Sequence, residues 1–382
     1  MGWVEWVAIG AAVLAVVAVV VAGVVYQRQR EMRRHLVPSG RSAAAAGDPV
    51  ARVAAAAPLL AFVANPSKPD VAALRAEVRR ACAQQYLPEP LWLETTVEDP
   101  GVGQAREAIA KGADVVVAVG GDGTVRAVAD ALTGTGVPMG LMPLGTGNLL
   151  ARNLDLPISD PLAALQIAIE GRDRTIDVGR LHVVRWATDD EDSPGEDDAP
   201  DTRERDHLFL VIAGLGFDAA MVADTDDTLK AKVGWFAYFV SGFRHLHGRR
   251  TRITVRLDDG PTTSTKLRSL LVGNCGRLPG GITLLPDAVL DDGILDVAAI
   301  DTRGGIAGWA QLFGEVMMQG AGVKNELPAK IGRIDHTRAK EVALVVAGGE
   351  HVQVDGDIVG KVAQLTAHVD PGALVVRVPR TA

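Results

Sequence analysis

Apolar and polar positions follow two rhythms along this chain, and the change comes near residue 172. Before it, short unbroken apolar runs alternate with amphipathic stretches. The runs at 58–64, 91–96, 115–119 and 137–141 read as strands, the third of them Val115-Val116-Val117-Ala118-Val119. A strand apolar at every position is one buried on both faces. Between the first two, residues 70–85 place Val71, Leu74, Val78 and Cys82 at the spacing of a single helix face, with Asp70 as N-cap candidate. Residues 104–111 and 125–132 also read as helices. This alternation argues a parallel sheet with crossover helices. Its loops at Asn65, Thr96, Gly120 and Gly145 are expected to cluster along one edge.

After residue 172 the runs become β-type, at 174–184, 208–213, 251–257, 269–273 and 295–300. Two more, 341–346 and 351–355, are split by Ala347-Gly348-Gly349-Glu350, a hairpin signal. An antiparallel, β-rich second domain is expected. The domain bounds are 1–35 for an N-terminal anchor with its basic flank, 36–57 for a linker, 58–172 for the α/β domain and 173–382 for the β-rich domain. The extreme C-terminus is expected to pack back on the α/β domain. The acidic stretch 189–206 reads as a solvated, disordered insertion.

The anchor rests on residues 7–25, an uncharged apolar run between Trp3 and Trp6 on one side and Tyr26 on the other. As a helix it would span about 28 Å, close to the hydrocarbon thickness of a bilayer. Arg28, Arg30, Arg33 and Arg34 follow it. The expectation is a single-pass protein of the cell membrane, N-terminus outside and the remainder cytoplasmic. Composition adds limits. A net charge of −8 argues against nucleic acid as a partner. Two cysteines, Cys82 and Cys275, form no metal spacing and no disulfide framework.

The chemistry concentrates in two loops. Gly120-Gly121-Asp122-Gly123-Thr124 joins an apolar strand to a helix, where open α/β sheets bind ligands. Its glycines allow a phosphate close to the backbone, and the helix start attracts an anion. Asp122, a carboxylate in such a loop, predicts Mg²⁺ beside a nucleotide. The second loop, Pro143-Leu144-Gly145-Thr146-Gly147-Asn148, lies one helix further on, with Asn148 as a cap candidate for the helix that follows. Residues 231–243 hold five aromatics and read as a packing helix, with a wall for an acyl chain as the alternative.

Taken with Asn65-Pro66, these loops resemble the diacylglycerol kinase catalytic-domain family, which includes bacterial lipid kinases and the sphingosine and ceramide kinases. Further matching stretches are Ile176-Asp177-Val178-Gly179, Gly214-Leu215-Gly216-Phe217-Asp218, Asp291-Asp292-Gly293-Ile294-Leu295-Asp296 and Val354-Asp355-Gly356-Asp357. The resemblance implies an α/β nucleotide-binding domain and an antiparallel β-rich domain of the NAD kinase and diacylglycerol kinase type, here behind one transmembrane helix. It implies ATP contacts at Asn65, Pro66, Ser67, Lys68, Pro69, Thr96, Gly120, Gly121, Asp122, Gly123, Thr124, Val125, Arg126 and Thr146. It implies a structural Mg²⁺ held by Asp292 and the carbonyls of Val289 and Ile294. Asp122 and Asp357 are the implied catalytic residues, and the acceptor a membrane lipid, diacylglycerol first. A homodimer is among the implied partners.

Two departures matter. Pro69 stands where the family turn has glycine, and proline has no N–H to offer. Asp357 stands where the family has glutamate, shorter by one methylene, roughly 1.5 Å of reach. Rival readings are a sphingoid or other lipid kinase, an NAD kinase, a membrane-tethered nucleotide or lipid sensor, and a hydride-transfer enzyme resting on Gly214, Gly216 and Ala219. No Gly-x-x-x-x-Gly-Lys-Ser/Thr is present, which argues against a P-loop kinase.

Overall fold

Side chains without charge fill the centre of a parallel sheet in the first half of the chain. The computed structural model describes residues 57–187, 204–216, 250–279, 283–302 and 332–380. In order, this half runs β1 (Leu60–Ala64), α1 (Val71–Gln84), β2 (Leu91–Glu94), α2 (Val102–Ala110), β3 (Val115–Gly120), α3 (Asp122–Leu132), β4 (Met139–Pro143), α4 (Leu149–Asn153) and α5 (Pro161–Glu170). β1 pairs in parallel with β2 and β3, and β3 with β4. β1, β3 and β4 are buried at every position because both faces are covered. Alternate residues serve opposite layers. Ala61, Val63, Val116 and Ala118 pack with Ala105, Ala108, Val125 and Val128 of α2 and α3. Leu60, Phe62, Val115 and Val117 pack with α1 and α5.

The face expected on α1 is the one buried: Val71, Leu74, Val78 and Cys82. Its cap differs. Asp70 occupies the N-cap position at φ 63 and makes no side-chain capping bond, so the left-handed turn itself redirects the chain.

The second half contributes β5 (Arg172–Trp186), β6 (Asp206–Phe209), β7 (Ile212–Leu215), β8 (Thr251–Leu257), β9 (Thr263–Leu267), β10 (Ser269–Gly273), β11 (Leu295–Thr302), β12 (Gly332–Ala339), β13 (Glu341–Val354) and β14 (Asp357–Val378). Its main path is β12-β11-β10-β7-β13-β14, with β5 on β14, β6 on β5, β8 on β13 and β9 on β8. The neighbours in this half pair antiparallel. β14 carries the sheet back into the first half, where Val376 pairs in parallel with Met139 of β4.

The turn expected at residues 347–350 is not a hairpin. β13 runs through it as one strand, and Gly348 and Gly349, both at positive φ, form an irregularity where the register against β14 shifts. The true hairpin is Asp355-Gly356, with φ of 49 and 96, between the paired residues Val354 and Asp357. Two positive φ values in a two-residue loop match the twist of the flanking strands.

The single-pass membrane placement also needs correction. Among the described residues no helix is long and apolar enough to cross a membrane. The longest described helix, α1, has 14 residues, about 21 Å, and spends its apolar face on the sheet. Residues 7–25, which prompted the expectation, lie outside the described residues, as do the aromatic stretch 231–243 and most of the acidic insertion. The anchored placement is therefore not retained.

Candidate active site

The C-terminal ends of β1, β3 and β4 bring three loops together. At the end of β1, Asn65 N–H donates to the Val119 carbonyl (3.0 Å), and its Oδ1 accepts from Ser67 N–H (3.0 Å) and Ser67 Oγ (2.7 Å). This side-chain turn carries Pro66 and Pro69 without needing an amide from either. Lys68 reaches inward: a Cβ built on Gly121 would lie 3.9 Å from its Cε.

The second loop leads into α3. Gly121 is backed closely by the third loop, since a Cβ on Gly145 would stand 2.7 Å from Gly121 Cα. Only glycine allows the two backbones this close. Thr124 is buried with its hydroxyl over Gly120, and Thr146 is exposed at the tip of the third loop.

Asp122 ties these loops into one unit. Its Oδ2 accepts from Asn148 N–H (2.9 Å) and its Oδ1 from Leu149 N–H (2.6 Å). The cap of α4 therefore comes from Asp122, not from the expected Asn148. The Asn148 side chain turns back, with Oδ1 accepting from Gly145 N–H (2.9 Å) and Nδ2 donating to the Gly145 carbonyl (2.7 Å). Burial pushes the Asp122 carboxyl up from 3.8 to about 6, against the two N–H groups, and the nearby Asp355 carboxylate adds to the rise.

The Asp355-Gly356 hairpin separates two carboxylates with different tasks. Asp355 is buried and accepts from the N–H groups of Leu210 (2.8 Å), Val211 (2.9 Å) and Ile212 (2.9 Å). It pins the break between β6 and β7, and burial raises its pKa. Asp357 opens β14 and stays exposed. Its Oδ2 accepts from Arg126 Nη2 of α3 at 2.5 Å, and a Cβ on Gly123 would come within 3.9 Å of the same oxygen. The second half of the chain thus delivers a carboxylate to the first turn of α3.

Other expected residues lie apart from this cluster. Thr96 bonds within its own loop: its N–H donates to the Asp99 carbonyl (3.0 Å) and its Oγ1 accepts from Asp99 N–H (3.1 Å). The segment carrying Val289, Asp292 and Ile294 is anchored by Asp177, whose Oδ2 accepts from Gly293 N–H (2.6 Å) and Oδ1 from Gly372 N–H (2.7 Å). Asp292 accepts from Ile294 N–H and forms an ion pair with Arg338. The same guanidinium lies 3.7 Å from buried Asp296. Arg338 thus places a positive charge beside Asp292 and Asp296, the carboxylates next to the carbonyls of Val289 and Ile294. At Asp122 the chemistry does fit a metal. A largely buried carboxylate beside a phosphate-type loop gains from a nearby cation, and Mg²⁺ takes one or two carboxylates together with substrate phosphates.

Asp355 and Asp177 were residues the sequence left without a task, and Asn148 was given a different one. The Asp-Gly pair at 355–356 was a hairpin signal in plain view.

Two family models divide the chain as the fold does. The diacylglycerol kinase catalytic domain matches residues 60–181, and the YegS C-terminal NAD kinase beta sandwich-like domain matches residues 211–378. A Mycobacterium tuberculosis protein named "Diacylglycerol kinase" is 31% identical over 278 residues, 72% of this chain and 79% of the relative. The chain belongs to the diacylglycerol kinase catalytic-domain family. It is a lipid kinase, and membership of a kinase family implies ATP. A Pseudomonas aeruginosa relative named "Probable lipid kinase YegS-like" is 32% identical over 314 residues, 79% of this chain and 90% of the relative. The crystal structure of a diacylglycerol kinase from Bacillus anthracis str. Sterne matches with TM-score 0.62 over 85% of this chain and 97% of that one. At 19% identity it speaks to the fold alone.

Proposed function

We propose that the protein transfers the γ-phosphoryl group of ATP to the free hydroxyl of diacylglycerol, giving phosphatidic acid. The observation that carries this reading is the approach of Asp357 to the glycine loop, 3.9 Å from a Cβ position on Gly123. A carboxylate beside helix N–H groups suits transfer from a triphosphate to an alcohol, which needs alignment and charge balance above all.

In this reading the phosphates rest on the first turn of α3, whose N–H groups lack intrahelical partners. Gly120, Gly121 and Gly123 let the oxygens approach the backbone. Lys68 adds a point charge, the turn from Asn65 to Pro69 borders the nucleotide, and Thr146 closes the third side. Asp122 is the carboxylate that would help hold a Mg²⁺ ion, which when bound would neutralise charge at the phosphates. Asp357 takes the proton from the acceptor hydroxyl as its oxygen bonds to phosphorus, and the bond from phosphorus to the ADP oxygen breaks. A pocket of about 330 Å³ opens beside Asp357, between Trp186, His207, Ile358 and Val359, and offers room for the acceptor headgroup. The name of the Mycobacterium tuberculosis relative supports the choice of acceptor.

The test is phosphorylation of a total lipid extract with labelled ATP, followed by pure diacylglycerol, sphingosine and NAD, with the products identified by mass spectrometry. Labelled phosphatidic acid is expected. A phosphorylated sphingoid or NADP in its place would reassign the acceptor, and no labelled lipid at all would remove the reading.

A further inference from the structure

Arg126 is four residues beyond Asp122 on α3, so the two side chains leave the same side of the helix one turn apart. Asp122 holds the third loop. Arg126 holds the hairpin of the other half of the chain. Its Nη1 donates to the Val354 carbonyl at 2.6 Å and its Nη2 to Asp357 Oδ2 at 2.5 Å. Val354 and Asp357 are the paired residues on either side of Asp355-Gly356. One guanidinium therefore grips the strand end before the turn and the carboxylate after it.

This geometry uses properties particular to arginine. The planar fork donates along two fixed directions, one to a backbone oxygen and one to a carboxylate. A lysine ammonium also has three donors, but they radiate from one atom and lack the spread and fixed plane of the fork. The Arg126 side chain is 24% exposed and that of Asp357 is 62% exposed. An ion pair this open contributes little to folding. Its effect falls on orientation, since an exposed aspartate without a fixed partner samples several rotamers. It falls also on charge, since a carboxylate facing a triphosphate is repelled unless a cation sits with it.

We infer that Arg126 is the positioning residue for Asp357. The resemblance to known kinases put Arg126 among the ATP contacts; its two hydrogen bonds give it instead to the acceptor side. The shorter reach of aspartate relative to glutamate is met by a side chain that fixes where the carboxylate stands. The inference rests on the proposed role of Asp357 as proton acceptor.

The experiment compares wild type, Arg126→Ala, Arg126→Lys, Asp357→Ala and Arg126→Ala/Asp357→Ala as full chains in detergent–diacylglycerol micelles. Circular dichroism and thermal midpoints establish that each folds, and Arg126→Gln replaces Arg126→Ala if the latter does not. Arg126→Ala is expected to lose about 10²-fold in kcat, with KM for ATP unchanged within about threefold. Non-denaturing guanidinium chloride is expected to restore turnover in Arg126→Ala and to do nothing for Asp357→Ala. Arg126→Lys should recover only a small part, and the double variant should be no slower than Asp357→Ala. The inference is overturned if Arg126→Ala keeps its kcat, if the loss appears only in KM for ATP, or if the two single losses multiply. Full activity in Asp357→Ala would instead remove the proposed base, and this inference with it.

Discussion

The carboxylate of Asp122 accepts the N–H of Leu149 at 2.6 Å, across 27 positions of sequence. This bond joins the loop that starts α3 to the start of α4, and a second from Asn148 N–H completes the pair. The residue expected to meet the metal is therefore also the residue that fixes the shape of the glycine cradle. Both tasks call for an ionised carboxylate in a largely buried place, and burial opposes ionisation.

That conflict has a sign that can be tested. The folded-state pKa of Asp122, about 6, lies above its ordinary 3.8. Between those values the folded protein holds a proton that the unfolded chain has released. Stability from this group is greatest at low pH and falls as pH rises through 6, by up to about 3 kcal/mol. Without nucleotide or Mg²⁺, the difference in unfolding free energy between wild type and Asp122→Asn should move by about 2 kcal/mol in favour of the variant between pH 4.5 and 7.5. Parallel urea curves for the two proteins across that range would contradict it. Asp122→Asn should also lose lipid phosphorylation.

Gly145→Ala tests the closeness of the loops. The added methyl would meet Gly121 Cα at 2.7 Å and Asn148 Oδ1 at 2.9 Å, and a backbone contact cannot be relieved by a rotamer change. The loops must separate. A shift near 1 Å in such a cradle predicts about 10²-fold lower kcat/KM for ATP, while the thermal unfolding transition stays cooperative. Unchanged steady-state kinetics would show that the approach is incidental.

Asp177 is a structural anchor in the second half. It is 2% exposed and accepts two backbone N–H groups from separate loops, at Gly293 and Gly372. Asp177→Ala takes the acceptor from two part-buried N–H groups, at half-buried Gly293 and exposed Gly372, and should cost about 1–3 kcal/mol in urea unfolding. A loss under 1 kcal/mol would mean that water replaces the carboxylate.

Arg338 bears on the expected structural metal. If its guanidinium neutralises Asp292 and Asp296, wild-type thermal stability should be indifferent to millimolar MgCl₂ versus EDTA. Arg338→Met frees the carboxylates, and its thermal midpoint should become Mg²⁺-dependent, by about 2–4 °C per kcal/mol of binding. A wild-type midpoint that falls on EDTA treatment would return the site to a metal.

Much of this protein could be read residue by residue. The buried runs at β1 and β3, the face of α1 and the change to antiparallel pairing depend on local periodicity, which a linear pattern carries. The glycine loops were legible because their strand–turn–helix setting is also local. The membrane placement failed to carry over, since the described helices are short and covered by sheet. The supposed hairpin at Gly348-Gly349 misled for a related reason: glycine pairs mark bulges as well as turns, and only the partner strand decides which.

The order of amino acids alone determined the strand–helix alternation of β1 to β4 and where a phosphate could approach, because φ restrictions, side-chain period and helix-end N–H groups act over a few residues. Tertiary structure alone decided what Asp122, Asp355 and Asp357 each do. The three are chemically alike, and their partners lie 27, 145 and 231 positions away. One became a clasp between loops, one a buried pin and one an exposed carboxylate gripped by Arg126, since burial and hydrogen-bond partners are assigned by the packing of distant strands.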